Sequence, residues 1–419
     1  MQPATATTAA VQPAGALSHL RVLDLSRVLA GPLASQVLGD LGADILKIER
    51  PGVGDDTRGW GPPYLPDAAG QPSETAAYFA CTNRNKRSIT LDFTAPEGQR
   101  LLHALVPHCD VVIENFKVGG LKPYRLDYDS LKALNPKLIY CSVTGFGQTG
   151  PYAPRAGYDF LIQGLGGLMS VTGQPDGTAG AGPMKVGVAL TDVMTGLYAA
   201  IAVLTAVTHR ERTGEGQYID LALLDVGVAG LANQALSYLS TGQSPQRLGN
   251  AHPSVVPYQD FPTADGHMIL AIGNDGQFAR FCAEAGQPAL AGDVRYATNA
   301  ARVRHRDTLI PTLRELTGGR TTQAWITALE RCSVPCGPIN TLAEVFDDPH
   351  VRARGLQMAL PDERLGSIPS VASPLRLSAT PVSYRHAPPA LGAHTGEVLA
   401  ELLGLAPDQL EALRTQGVI

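Results

Sequence analysis

The chain has 419 residues, of which 44% are hydrophobic and 17% are charged, and its formal net charge is −5. Lys and Arg are scattered along the chain, so no basic patch indicates nucleic-acid binding. No stretch contains the roughly 18 to 20 apolar residues that a membrane-spanning helix needs. We therefore predict a globular protein that binds neither nucleic acid nor a membrane.

Residues 1–18 are rich in Ala, Thr, Pro and Gln and lack the basic start and apolar run of a signal peptide. They predict a disordered leader. The six cysteines are dispersed, and only Cys332 and Cys336 are close together, without the second pair that would complete a metal site. We expect these two to be packing residues, with no bound metal, reduced thiols throughout and a cytoplasmic location.

Strands and helices alternate from residue 21 onward. The predicted elements are a strand at 21–25, a turn at 30–32, a helix at 33–41, strands at 44–48 and 88–91, a helix at 96–106, a strand at 111–113, a helix at 128–134 and a strand at 138–143. This β-α-β repetition predicts an α/β fold with a Rossmann-like, doubly wound parallel sheet. Ligands are expected at the carboxyl ends of its strands.

The remaining segments complete the large domain and predict a second, smaller one. The predicted elements are a helix at 191–207, a strand at 217–221, a helix at 223–239, strands at 259–261 and 267–272, and helices at 276–285, 322–332, 395–403 and 407–416. We assign residues 19–222 to a large domain that residues 347–419 complete. Residues 223–248 form a linker helix, and residues 249–346 form a small α+β domain.

Asp192 is a lone carboxylate within the small, apolar segment at residues 185–196. Ionising a carboxyl group in such surroundings is costly and makes the carboxylate a stronger nucleophile. The residue is therefore either a buried structural acceptor or a covalent catalyst. The local sequence leaves both readings open.

Basic residues recur at the ends of the predicted strands and helices. They are Arg27, Arg50, Lys86, Arg87, Lys117, Lys122 and Arg125. Each alone is typical of a solvated surface charge, whereas together at one sheet edge they could bind a multiply phosphorylated ligand, with Phe116 beside an adenine ring. The turn at 30–32 lacks the G-x-G-x-x-G motif of dinucleotide-binding proteins. It is either only the start of a helix or a site whose backbone N–H groups bind a phosphate or a thioester carbonyl oxygen.

Seven short motifs occur together in one order along the chain. They are RVLDLS at 21–26, AGP at 30–32, LGADILKIERPG at 41–52, NKRS at 85–88, ENF at 114–116, TGFG at 144–147 and GYD at 157–159. With them the sequence resembles the family III CoA-transferases, the group of formyl-CoA transferase, carnitine CoA-transferase and α-methylacyl-CoA racemase. The resemblance implies an interlocked homodimer, CoA thioesters as substrates and no tightly bound cofactor.

The resemblance also implies the role of Asp192. The nucleophile of the family is an aspartate about thirty residues after the GYD-like motif, and Asp192 is the matching position. It would attack the thioester of the donor acyl-CoA to give a mixed anhydride, which the CoA thiolate would convert to an aspartyl-CoA thioester. A carboxylic acid would then repeat these steps in reverse order.

Matching positions imply which residues contact CoA. They are Arg27, Leu29, Ala30, Arg50, Leu91, Asn115 and Phe116. Leu29 stands where formyl-CoA transferase has Gln, while Thr94 and Pro123 stand where it has basic residues. Lys122 or Arg125 could compensate for Pro123. The glycine-rich lid of that enzyme corresponds to residues 249–258 here, where His252 and Pro253 restrict flexibility and argue against formate and oxalate as substrates.

Two other functions are weighed against CoA transfer. The racemases of the family have a histidine before the aspartate of the GYD-like motif, and here Tyr158 holds that position. An ordinary phenol has a pKa of about 10, which favours transfer over racemisation and leaves Asp159 as a cap or turn carboxylate. The other alternative is a non-catalytic CoA-binding module. Because Arg27, Arg155 and His252 could meet a second carboxylate, we expect succinyl-CoA as donor and a short dicarboxylate as acceptor.

Overall fold

The structure is a computed structural model that describes residues 15–419; most of the predicted leader lies outside the described residues. Thirteen strands are found in this part of the chain. They are β1 (Arg21–Asp24), β2 (Asp44–Glu49), β3 (Tyr64–Pro66), β4 (Pro72–Ala76), β5 (Lys86–Thr90), β6 (Val111–Glu114), β7 (Ile139–Thr144), β8 (Tyr218–Ala222), β9 (Tyr258–Pro262), β10 (His267–Ala271), β11 (Cys336–Pro338), β12 (Gln357–Asp362) and β13 (Gly366–Val371).

Eighteen α-helices accompany these strands within residues 15–419. They are α1 (Ala30–Asp40), α2 (Ala77–Ala80), α3 (Pro96–Leu105), α4 (Tyr128–Lys132), α5 (Asp159–Leu165), α6 (Leu168–Val171), α7 (Leu190–Thr213), α8 (Leu223–Gly230), α9 (Ala232–Thr241), α10 (Asp275–Glu284), α11 (Ala289–Gly292), α12 (Asn299–Arg304), α13 (Arg306–Thr317), α14 (Thr322–Arg331), α15 (Leu342–Asp347), α16 (Pro349–Ala353), α17 (Thr395–Leu403) and α18 (Pro407–Thr415).

The largest sheet has six strands in the order β5-β2-β1-β6-β7-β8, and every neighbouring pair is parallel. The prediction of an α/β fold with a large parallel sheet is confirmed. The strand order reverses between β1 and β6, so the connections leave these two strands in opposite directions. Such a reversal opens a crevice at the carboxyl ends of the two strands, where α/β proteins bind ligands.

Helices cover both faces of this sheet because its strands are apolar on both sides. Val22 and Ile45 point to the face that α1 and α7 cover. Leu23 and Leu46 point to the other face, which α3, α4, α17 and α18 cover. Near-continuous apolar strands of this kind are typical of parallel sheets that are buried on both faces.

The chain divides into two compact units. Within the described residues, the first unit comprises residues 15–167, 187–235 and 352–419, and the second comprises residues 168–186 and 236–351. The second unit contains the antiparallel sheet β11-β10-β9 around a core that includes Trp325, Phe261 and Phe281. The bounds differ from the proposed domain bounds, because residues 168–186 belong to the second unit and the supposed linker helix is shared between the units.

Several elements depart from the sequence prediction. The helix at 223–239 is divided into α8 and α9, and Ala232 after the break has a positive φ of 45°. Gly227 and Gly230 in α8 are poor helix formers, which favours an interruption there. The β3-β4 and β12-β13 hairpins of the first unit were not predicted, since Pro and polar residues interrupt their alternation.

Helix α7 is long and apolar enough to cross a membrane by length and composition, so the expectation that no segment reaches that length is wrong. Threonines and a glycine interrupt its apolar residues, so the sequence has no continuous apolar run of that length. The core helix of a globular protein meets the same criterion. In the structure α7 packs against α1, and its first turn carries the buried carboxyl group of Asp192.

Lys86 is fully buried, which rules out the surface charge and the phosphate ligand that the sequence suggested for it. Its ammonium donates hydrogen bonds to the Asp24 carboxylate at 3.1 Å and to the Pro32 carbonyl oxygen at 2.9 Å. Burial alone would raise the pKa of Asp24, but Lys86 and hydrogen bonds from Ser26 and Ser35 lower it to about 2. This network ties the start of α1 to β1 and β5.

Arg87 is likewise engaged inside the first unit. Its guanidinium pairs with Asp44 at 2.6 Å and with Glu401 of α17 at 2.6 Å. Both residues of the NKRS motif that the sequence offered as phosphate ligands therefore have structural partners. Arg87 attaches the C-terminal segment to the sheet.

We expect the Lys86→Met variant to lose about 3 to 5 kcal/mol in free energy of unfolding, because it leaves the Asp24 carboxylate buried without its cation. Denaturant unfolding at pH 7 measures the loss. Lys137→Met changes an exposed lysine and is the control, with an expected effect within about 0.5 kcal/mol. A Lys86→Met variant as stable as the control would contradict this account of the network.

Candidate active site

The loops that follow β1 and β6 meet at the point where the strand order reverses. The backbone N–H of Arg27 donates to the Asn115 side-chain oxygen at 2.9 Å, and the Asn115 amide donates to the Arg27 carbonyl oxygen at 2.6 Å. The Arg27 guanidinium lies 5.2 Å from the centre of the Phe116 ring. The segments RVL and ENF, which are far apart in the sequence, are therefore in direct contact.

The turn between β1 and α1 has a strained backbone. Val28 has a φ of 72°, which is unusual for a β-branched residue. The Asp55 carboxylate accepts a hydrogen bond from the Val28 N–H at 3.2 Å and one from the Lys47 ammonium at 2.9 Å. Lys47 also donates to the Ser26 carbonyl oxygen at 3.0 Å. This buried pair supports the unusual conformation and so sets where Leu29 begins the turn into α1.

A cavity of about 160 Å³ lies beside this turn. Eight of the predicted site residues line it. They are Arg27, Leu29, Ala30, Asn115, Phe116, Arg155, Tyr158 and Asp192. The cavity also contains Asp56, which the sequence reading missed and which pairs with the Arg27 guanidinium at 3.1 Å. We call this space the Asp192 cavity.

A second cavity of about 310 Å³ adjoins the first, since Arg27, Asp56 and Phe116 line both. Arg50 and Leu91 of the predicted CoA-contacting set line this second cavity. An elongated ligand could therefore extend from Asp192 past the Phe116 ring to Arg50. We call this second space the Arg50 cavity.

The structure does not bring Lys122 or Arg125 into these cavities. Lys122 lines a separate cavity with Glu114 and Tyr128. Arg125 ends the turn after Lys122 in a left-handed conformation, and its carbonyl oxygen is 3.0 Å from a ring nitrogen of His103. The suggestion that Lys122 or Arg125 replaces the basic residue that formyl-CoA transferase has at the position of Pro123 is therefore not supported by the two cavities.

His252 belongs to the second unit. Its ring nitrogen accepts a hydrogen bond from the Ser254 N–H at 3.0 Å, and its ring contacts Tyr258 edge-on. These contacts stabilise the turn that carries His252. Cys332 and Cys336 are half-buried against the core of the same unit, as expected for packing residues.

Gly196 explains how α7 delivers Asp192 to the Asp192 cavity. A β-carbon at Gly196 would lie only 2.7 Å from the Ala30 carbonyl oxygen and 3.1 Å from the Leu33 side chain. The absence of a side chain lets α7 approach the start of α1 at backbone distance. The small residues around Asp192 in the sequence were the available signal for this close approach.

The Asp192 side chain is 9% exposed and has no hydrogen-bond partner among the described residues of its unit. Burial, followed by the charge of Asp159, raises its pKa from 3.8 to about 7. Asp159 has partners, because it accepts hydrogen bonds from the Thr191 N–H at 2.9 Å and the Gln163 amide at 2.7 Å. One carboxylate therefore holds the first turn of α7, and the other faces the cavity without a partner.

Comparison with known proteins identifies the family. The model of CoA-transferase family III matches residues 17–395. The chain belongs to CoA-transferase family III. Succinate--glutarate CoA-transferase of Agrobacterium fabrum is 54% identical over 92% of this chain and 95% of its own length. The predicted family and the prediction of a CoA-transferring enzyme are both confirmed.

Two further relatives agree with this assignment. Succinyl-CoA:glutarate CoA-transferase of Mus musculus is 41% identical, covering 96% of this chain and 90% of its own. The crystal structure of a CAIB/BAIF family protein from Brucella suis has 50% identity and a TM-score of 0.81, and the match covers 93% of this chain and all of that one. The fold of this family III member is thus that of a solved relative.

Replacing Asp192 by Asn should stabilise the protein in a pH-dependent way. The unfolded chain ionises Asp192 near pH 3.8, whereas the folded protein resists ionisation up to about pH 7. The loss of stability caused by the buried Asp192 carboxyl group is therefore absent below pH 3.8, grows as the pH rises and is complete above about pH 7. We expect Asp192→Asn to gain about 1 to 4 kcal/mol at pH 8 but little at pH 4, measured by denaturant unfolding. An equal difference at both pH values would disprove the raised pKa.

Replacing Asp159 by Asn should lower the pKa of Asp192, because it removes the neighbouring negative charge while keeping an oxygen for the Thr191 N–H. The acid limb of kcat/KM for CoA transfer should then move to lower pH. Asp408→Asn, an exposed aspartate of α18 on the other face of the sheet, is the control. An unmoved acid limb in Asp159→Asn would show that Asp159 does not influence the titration of Asp192.

Proposed function

We propose that the protein transfers CoA from succinyl-CoA to a short dicarboxylic acid, with Asp192 as the nucleophile. The observation that carries this proposal is the unpartnered, nearly buried carboxyl group of Asp192 at the wall of a cavity that continues towards Arg50. Its pKa of about 7 leaves a substantial fraction ionised at neutral pH. A carboxylate without hydrogen-bond donors is poorly solvated and correspondingly reactive.

In the first half of the reaction, an oxygen of the Asp192 carboxylate attacks the thioester carbonyl of succinyl-CoA. The carbon–sulfur bond breaks, CoA leaves as a thiolate, and a mixed anhydride of Asp192 and succinate remains. The thiolate then attacks the carbonyl carbon of Asp192, which releases succinate and forms an aspartyl-CoA thioester. The thioester bond energy is conserved, so ATP is not required.

In the second half, the acceptor carboxylate attacks the aspartyl thioester and expels the CoA thiolate. A new anhydride joins Asp192 to the acceptor. The thiolate attacks the acceptor's carbonyl carbon, so that the new acyl-CoA leaves and the Asp192 carboxylate is restored. Each carbonyl attack develops negative charge on oxygen. The first turn of α1, from Ala30, borders the cavity, and N–H groups of a helical first turn can stabilise such a charge.

The substrates are proposed from the relatives and from the charge of the cavity. The relatives named above are a succinate--glutarate and a succinyl-CoA:glutarate CoA-transferase. The Asp192 cavity offers the cations Arg27, Lys117 and Arg155, which can neutralise an acid with a second carboxylate. We therefore propose glutarate, or a dicarboxylate of similar length, as the acceptor.

The CoA moiety is proposed to occupy the Arg50 cavity. Arg50 would face its phosphates, and Phe116 and Leu91 would contact the adenine. The thioester end would then pass Asn115 to reach Asp192. Thr94 lines the same cavity at the position where formyl-CoA transferase has a basic residue, so the cavity lacks that positive charge here.

The test is to trap the covalent intermediate. Incubation with succinyl-CoA and hydroxylamine should convert Asp192 to a hydroxamate, visible by mass spectrometry of the peptide that contains it. Asp192→Ala and Asp192→Asn should abolish CoA transfer to glutarate while both variants remain folded. Transfer at the normal rate by Asp192→Asn, or no adduct with any acyl-CoA, would overturn the proposed mechanism.

Racemisation of 2-methylacyl-CoA is the second candidate function, and one feature opposes it. Tyr158 is 64% exposed at the start of α5, where a racemase needs a histidine. We expect no deuterium incorporation at the α-carbon of a 2-methylacyl-CoA in heavy water. A non-catalytic CoA-binding module would bind CoA and yield neither deuterium incorporation nor an adduct.

We also propose a cytoplasmic homodimer, interlocked as the family resemblance implies. Apolar side chains exposed on α7 and α9 support a partner surface, including Ile201, Leu197 and Leu239 at 58%, 47% and 77% exposure. All six cysteines carry free thiols, which supports a reducing compartment. No tightly bound cofactor is needed for the steps above, because CoA enters and leaves as part of the substrates.

A further inference from the structure

Arg155, unlike Arg27, has no acidic partner among the described residues of its unit. Its guanidinium lies 4.5 Å from the centre of the Tyr152 ring and 5.1 Å from that of Phe146. The two rings contact each other edge-on at 5.6 Å. Arg155 is therefore positioned by aromatic faces, which orient a guanidinium without neutralising its charge.

The backbone around Arg155 is also fixed. A β-carbon at Gly157 would lie 2.5 Å from the Gly145 α-carbon, so the loop that carries Arg155 rests directly on the end of β7. This contact requires glycine at both positions. Arg155 is exposed, but a guanidinium that contacts aromatic rings loses less conformational entropy on binding a ligand than an exposed arginine without such contacts.

The two other cations of the cavity are less suited to bind a substrate carboxylate. Arg27 is paired with Asp56 at 3.1 Å and is shared with the Arg50 cavity, where the nucleotide is expected. Lys117 is a flexible point charge that also lines the separate cavity beside Lys122. Arg155 offers a planar pair of N–H donors, which matches the two oxygens of a carboxylate.

We infer that Arg155 binds the carboxylate that does not react, first in the succinyl group and then in the acceptor, and so selects dicarboxylic acids. This inference rests on the proposed function and assigns the specificity to one residue. A monocarboxylate would leave the guanidinium without a partner, whereas a dicarboxylate neutralises it and directs its other end to Asp192. Arg155 is thus a substrate-binding residue, and Phe146 and Tyr152 position it.

The test compares acceptors in wild type and Arg155→Gln with succinyl-CoA as donor. For glutarate, kcat/KM should fall by about 100-fold, because a paired charge and its hydrogen bonds are lost. For butyrate, which lacks the second carboxylate, kcat/KM should fall much less. Because the donor's own carboxylate also meets Arg155, adduct formation from butyryl-CoA should be less affected than that from succinyl-CoA. Arg155→Lys keeps the charge but loses the planar pair of N–H donors. Its kcat/KM for glutarate should lie between those of wild type and Arg155→Gln.

The controls separate this inference from the proposed function. Arg100→Gln removes an exposed arginine that pairs with Glu97 on α3, and should leave all rates unchanged. Titration with CoA should give the wild-type affinity in Arg155→Gln, which shows that the variant is folded. If Arg155→Gln lowered kcat/KM equally for glutarate and butyrate, or did not lower it for glutarate, the role of Arg155 would be overturned but the proposed function would stand. A wild type that transfers CoA to no dicarboxylate would instead overturn the proposed function.

Discussion

The close approach of α7 to α1 is the constraint on which the site depends. At Gly196 the two helices meet at backbone distance, since a side chain there would strike the Ala30 carbonyl oxygen. One turn earlier on α7, the same approach places Asp192 beside the turn at Leu29, where the sheet opens its crevice. The carboxyl group is thereby shielded from water without being given a hydrogen-bond donor. Its raised pKa and its expected nucleophilicity both follow from this placement.

The same crevice is stabilised by buried charged residues that take no part in the proposed chemistry. Lys47 and Lys86 are fully buried and pair with Asp55 and Asp24, and they also bind carbonyl oxygens around the turn between β1 and α1. Removing such charges from water is costly, so pairs of this kind contribute more to a defined geometry than to net stability. Here they support the left-handed conformation of Val28 at the edge of the cavity.

Much of this architecture could be predicted from the sequence. Strand periodicity gave the parallel sheet and its carboxyl edge, and the lone acid in a small-residue segment drew attention to Asp192. The burial of Lys86 could not be predicted, because the local sequence around a basic residue before a strand does not differ between a lysine in solvent and one paired with a distant carboxylate such as Asp24. Asp159 was expected to be a cap or turn carboxylate, but its partner could not be predicted, because Thr191 is 32 residues away in sequence. Long-range polar partners leave no periodic signal.

The central claim is that Asp192 carries the acyl group covalently, and oxygen transfer tests it most directly. In the proposed steps one oxygen of the acceptor carboxylate becomes the bridging oxygen of the second anhydride and remains on Asp192 when the new acyl-CoA leaves. Turnover of succinyl-CoA with [¹⁸O]glutarate should therefore place ¹⁸O in the Asp192 carboxyl group, and then in the succinate released by the next cycle. Succinate and an Asp192 peptide that both remain unlabelled during active transfer would contradict the account.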